Sequence, residues 1–180
     1  MQQTLLAVLA IVVVGLFALG QQQDVASSER AVYEREMQDR AAEKVRELLY
    51  EIQALPFDEA DIGSPSIRTN TAGLASNLGP GSDEPNRSYY DDVDDFNGYT
   101  TVATVNHDSA EGGNQSHQIY LRVAVRYVRP ESPDQAASGK SLAKEIVVEG
   151  FYGGTAPATG LEPDVRLSQV VTPTWHQIHN

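Results

Sequence analysis

The stretch "HQIYLRVAVRYVR" (117–129) decides the fold. Its residues alternate: Ile119, Leu121, Val123, Val125 and Tyr127 fall on one side, Arg122 and Arg126 on the other. A period of two on β-branched and aromatic residues predicts a strand with one apolar and one wet face. Upstream, "YTTVATVN" (99–106) is also strand-like, and "HDSAEGGNQS" between them carries the Gly-Gly and Asn of a hairpin loop. Downstream, "PESPDQAASGKS" reads as a connection, "LAKEIVVEGFY" (142–152) as a third strand, and 165–171 as a candidate short fourth. Three or four antiparallel strands with one apolar face need a cover.

The cover is predicted upstream. Over 24–55, Tyr33, Met37, Ala41, Val45, Leu48, Leu49, Ile52 and Leu55 recur at steps of three and four, with charged residues opposite. That spacing is an amphipathic helix. Pro56 ends it by forcing the preceding residue out of helical geometry. No proline stands before it, so residues 1–55 are predicted to form one rod roughly 75 Å long. The expected fold is therefore α+β: a long N-terminal α-helix with a projecting apolar half, its amphipathic half packed on a small antiparallel β-sheet. The expected segments are 1–23, an apolar helix for membrane or filament core; 24–55, its amphipathic continuation; 56–98, a long surface loop rich in Gly, Pro, Ser, Asn and Asp; and 99–180, the sheet with a C-terminal tail.

Composition narrows the function. All 13 basic and 25 acidic side chains lie after Gln23, so the net charge of −12 belongs to the C-terminal part. Such a surface is a poor partner for nucleic acid or anionic lipid. There is no cysteine, which excludes disulfides, thiolate nucleophiles and Cys-type metal centres. No G-x-S-x-G and no glycine-rich phosphate loop after a strand is present, so an enzyme is not expected.

The opening "MQQTLLAVLAIVVVGLFALGQQQD" lacks the basic residues that precede a secretory signal or orient a membrane span. Residues 4–20 as a helix cover only about 25 Å of a hydrocarbon core of ~30 Å. An apolar helix of this kind needs lipid or copies of itself. The architecture resembles type IV pilins and pseudopilins. So do "YYDDVDDFNGY" (89–99) and "RVAVRYV…SGKSLAKEIVVEG" (122–150), which look like segments of minor pilins and prepilin-like proteins. The resemblance implies that Met1 is the N-terminal residue left after a basic leader is clipped. It also implies a leader peptidase, pilus assembly machinery and an inner-membrane stage before the filament. The chain departs from the family pattern in having no acid among Gln2, Gln3, Thr4 and Leu5, and no proline after the apolar run. These departures point to a divergent branch or to another filament class.

The resemblance assigns assembly to Leu5, Leu6, Ala7, Val8, Leu9, Ala10, Ile11, Val12, Val13, Val14, Gly15, Leu16, Phe17, Ala18, Leu19 and Gly20. Small residues among them permit the close approach that decides helix association in lipid-like surroundings. Asp91, Asp92, Asp94 and Asp95, with Asn97 near, form a weak calcium candidate; the other reading is an acidic turn whose aspartates cap amides or meet Arg122 and Arg126. No other cofactor is expected. Asn86 and Asn114 open N-x-[ST] sequons and are candidate glycosylation sites. Tyr89, Tyr90, Phe96 and Tyr99 flank the acidic turn, either pinning the loop to the sheet or forming an interaction surface. The expected function is a structural subunit of an extracellular type IV pilus-like helical filament at the cell surface, with copies of itself as partners. The alternatives are a minor pseudopilin of a secretion or DNA-uptake system and a membrane-anchored periplasmic or surface binding domain.

Overall fold

The structure, a computed structural model, describes residues 2–64, 66–108, 114–153 and 162–173; within α1 the side chains described are those of 12–15, 27–28 and 30–53. The chain divides into two units, Met1–Asp39 and Arg40–Asn180. The boundary falls inside a helix, α1 (Gln2–Gln53).

The second unit holds the core. Its sheet comprises β1 (Thr100–Asp108), β2 (Asn114–Arg129), β3 (Ser132–Ala136), β4 (Lys144–Tyr152) and β5 (Val165–Val171). The order is β1-β2-β4-β5, with β3 paired to the end of β2, and all pairings are antiparallel. Along β2, Ile119, Leu121, Val123, Val125 and Tyr127 are buried while Gln118, Arg122, Ala124 and Arg126 are exposed, as alternation demands. In register with them on β4 stand Gly150 opposite Leu121, Val148 opposite Val123, Ile146 opposite Val125 and Lys144 opposite Tyr127. Ala41, Val45, Leu48, Leu49 and Ile52 of α1 join this face in one hydrophobic cluster.

The expected fold is corrected in its first element. It was a long N-terminal helix with a projecting apolar half and an amphipathic half on a small sheet. The part of the helix whose side chains are described without interruption is the 24-residue stretch 30–53, beside a sheet of five strands, and the architecture is sheet-rich. The physical reason lies in what there is to cover. Within 30–53, residues 30–35 are exposed, including Tyr33 at 39%; Met37 is the first buried side chain, and members of the sheet's hydrophobic cluster start at Ala41. The remaining area of the apolar face is taken by the loop segment. Residues 56–98, read as surface loop, place Phe57, Leu74, Val93 and Phe96 in the core. The fifth strand, β3, arises inside the expected connection.

Gly150 shows how closely helix and sheet meet. A Cβ there would lie 2.9 Å from Cγ2 of the buried Val45, a stiff branched side chain that cannot swing aside. Gly150→Ala is expected to lower stability by about 1–3 kcal/mol through overpacking, read from urea unfolding. Adding Val45→Ala should recover part of the loss, since the two sites touch.

Candidate functional site

The loop's return to the sheet builds the site. β1 begins at Thr100, opposite Arg122, so β2 beyond that point has no β1 partner on this edge. The loop supplies substitutes. The amide of Gly98 donates to Val123 O at 3.1 Å, Val123 N donates to Tyr99 O at 2.9 Å, and Val125 N donates to Asn97 Oδ1 at 3.0 Å. Asn97 Nδ2 donates to Leu78 O at 3.0 Å, so one side chain ties two loop segments to the sheet. Asn97→Ala strands the Val125 amide and the Leu78 carbonyl; a loss of about 1–3 kcal/mol is expected in denaturant unfolding. Tyr90, Phe96 and Tyr99 stack edge to face with centroids 5.2–6.0 Å apart, and Arg87 caps the Tyr99 ring while pairing with Glu51 of α1. These aromatic rings pin the loop, apart from Tyr89, which is exposed.

The acidic turn that follows is mostly buried. Asp92 Oδ1 accepts from the amides of Asp94 at 2.7 Å and Asp95 at 3.2 Å, and Asp95 Oδ2 accepts from those of Asp91 and Asp92. Asp94 turns inward to Lys144, whose Nζ donates to Asp94 Oδ1 and to Phe57 O and lies 3.5 Å from Asp58 Oδ2. Asp58 also accepts from the amides of Ala75 and Ala60, which fixes the start of the loop. Lys144 is fully buried, with the Phe57 and Tyr127 rings against its head group. Arg122 and Arg126 do not meet the aspartates. They pair across the outer face with Glu149 and Glu145.

Burial dominates the acid–base behaviour here. It pushes Asp92 up to about 8, with Asp94 and Asp95 adding to the rise and Lys144 opposing it. Asp94 is also raised by burial, against the pull of Lys144. A second group of acids stands nearer the surface. Carboxylate oxygens of Glu59, Glu84 and Asp91 lie within 4.8 Å of one another. Burial lifts Glu84 to about 7 despite the amide of Gly81 that it accepts from, and Asp95 and Asp91 add to the rise. Crowded carboxylates of this kind take up a proton or a cation. Of the five side chains expected around calcium, Asp91 alone joins this group; Asp92, Asp94, Asp95 and Asn97 have the partners described above.

The other expected sites are placed as follows. In the assembly segment, Val12, Val13 and Val14 are exposed at 51%, 57% and 67%, and nothing lies within 4 Å of where a Gly15 Cβ would be. The side chains of Leu5–Ile11 and Leu16–Gly20, and Met1 as a whole, lie outside the described residues. Among the described residues no helix is long and apolar enough to cross a membrane. Asn86 caps the 3₁₀ turn Arg87–Tyr89, its Oδ1 accepting from Ser88 N at 3.1 Å. Asn114 pairs with Asp108 at the start of β2, and its side chain is outside the described residues.

Sequence reasoning treated Lys144 only as a feature of its strand, and missed Asp58, Glu59 and Glu84. For Lys144 a signal existed: in "LAKEIVVEG" it shares parity with Ile146 and Val148, the apolar side. No family model matches the chain, and no curated protein or solved structure was found to be similar to it.

Proposed function

We propose that the chain is a pilin-like structural subunit that assembles with copies of itself, through its N-terminal segment, into an extracellular helical filament. The observation that carries this is the exposure of Val12, Val13 and Val14 in an uncharged run. Successive helical residues turn by about 100°, so these three look out over more than half of the circumference. No single covering face would shelter them; a surrounding of lipid or of like segments does. An inner-membrane stage before assembly, a leader peptidase and the assembly machinery belong to the same reading. Heterologous contacts that do not close generate open filaments rather than rings. The acidic body, with all the net charge, keeps such fibres dispersed.

A specific feature favours a second reading, a minor pseudopilin: residues 2–5 carry no acid. Electron microscopy of sheared surface material separates the two, since a major subunit dominates long fibres. Val13→Asp is expected to abolish polymer while leaving the circular dichroism of the body unchanged. Native material that contains only dispersed single molecules, with wild-type and Val13→Asp chains alike, overturns both readings.

A further inference from the structure

Lys144 and Asp94 meet where little else can reach them. Lys144 has no solvent exposure, Asp94 is 4% exposed, and Asp58 and Asp92 are each 1% exposed. The Nζ contacts the Asp94 carboxyl directly, with the Phe57 ring centroid 4.4 Å away and that of Tyr127 5.5 Å away. On the amine side stands Asp58, its Oδ2 3.5 Å from Nζ. On the acid side stands Asp92, whose Oδ1 accepts from the Asp94 amide at 2.7 Å. An amine and a carboxyl are thus in contact, away from water, with one further carboxyl beside each.

We propose that Lys144 and Asp94 condense into an intramolecular isopeptide bond that fastens the loop to β4. In water an amine and an acid rest as a charged pair. Burial penalises both charges and favours the neutral pair, which is the reactive form. Fixed contact supplies the rest, as groups held in line react with effective molarities on the order of 10⁵–10⁸ M. The Nζ–Cγ bond forms, one Cγ–O bond of Asp94 breaks, and one water leaves. Two protons depart from Nζ and two reach the outgoing oxygen. Asp58 accepts on the amine side and Asp92 donates on the acid side, and exchange among the clustered carboxyls returns both to their starting state. Nothing is oxidised or reduced. Three buried carboxyls, Asp58, Asp92 and Asp94, stand near Lys144, which among the described residues is the one fully buried basic side chain, so more carboxyls than cations are at hand and one can act as the acid.

The intact mass of the purified full-length chain tests this. The expected mass is one water below that of its sequence. Trypsin cuts after Arg87, Arg122, Lys140 and Arg166 but not after a bonded Lys144, so residues 88–122 should appear joined to 141–166. Lys144→Arg should restore the full mass. Asp92→Asn, which keeps the shape and removes the acid, should slow appearance of the joined peptide at least tenfold. A wild-type chain at full mass with linear peptides overturns the proposal. So does a loss of one water without the joined peptide, which is what cyclisation of an aspartate on its own backbone would give.

Discussion

Lys144→Met is expected to destabilise the folded body by about 3–5 kcal/mol, measured by urea unfolding at pH 7. Methionine matches the length of lysine and packs against Phe57 and Tyr127, so the loss is not one of volume. It comes from what the cation leaves behind. Asp94 and Asp58 are 4% and 1% exposed, and the Phe57 carbonyl loses its donor. A carboxylate stripped of its partner in such a place keeps the full cost of desolvation. The competing effect is that a buried ion pair replaced as a whole by apolar groups can be neutral or stabilising. The two are separable. Lys144→Met with Asp94→Leu should regain part of the loss, while Asp58, which also holds the amides of Ala75 and Ala60, must stay. If Lys144→Met alone costs less than 1 kcal/mol, the buried cluster is not held by its cation. Where Lys144 is already bonded to Asp94, the loss is larger, because covalent closure of the 94–144 loop goes with it.

The same strand shows which parts of the fold can be read in sequence. Alternation in β2 and β4 is a local property of the backbone, and it gives both the strands and their inner face. Even the outer pairs follow, since Arg122 and Arg126 share parity with Glu149 and Glu145 once the register is known. β3 escapes because Pro133 and four exposed residues out of five leave no alternation to read, as befits an edge strand. In α1 the spacing from Tyr33 onward is genuine, but periodicity states only that a face is apolar, not that a partner is there to cover it. The candidate site is least legible. Asp58 meets Ala75, Asn97 meets Leu78 and Glu59 meets Glu84 and Asp91 across a loop with no repeating pattern. Those approaches are set by Phe57, Leu74, Val93 and Phe96 settling into the core, and the sequence spacing of the polar residues carries no trace of it.

The folded chain should be more stable at pH 5 than at pH 8, and Asp92→Asn should remove most of that difference. Asp92 ionises near 3.8 in an ordinary setting and near 8 in the fold, where burial leads and Asp94 and Asp95 reinforce it. Between those limits the folded state keeps a proton that the unfolded chain has shed. The stability tied to that proton is fully present below about 3.8, falls as pH rises through the window, and is gone above about 8. Each pH unit inside the window is worth up to ~1.4 kcal/mol, so a fall of about 2–3 kcal/mol between pH 5 and 7 is expected. Asp94, also raised, acts in the same direction. Below about pH 4 an opposing effect takes over, because acid protonates carboxylates and dissolves the ion pairs they make. The comparison therefore belongs between pH 5 and 8. Asparagine reproduces the uncharged acid: its oxygen still accepts from the amides of Asp94 and Asp95, and its NH₂ supplies a donor where the protonated acid carries its O–H. The variant should thus unfold at a higher urea concentration than wild type at pH 8 and show a shallower profile down to pH 5, the remaining slope coming from Asp94 and Glu84. A wild-type midpoint that rises from pH 5 to pH 8, or an Asp92→Asn midpoint that tracks it, would mean that Asp92 is charged in the fold and that Lys144, not a proton, neutralises the turn.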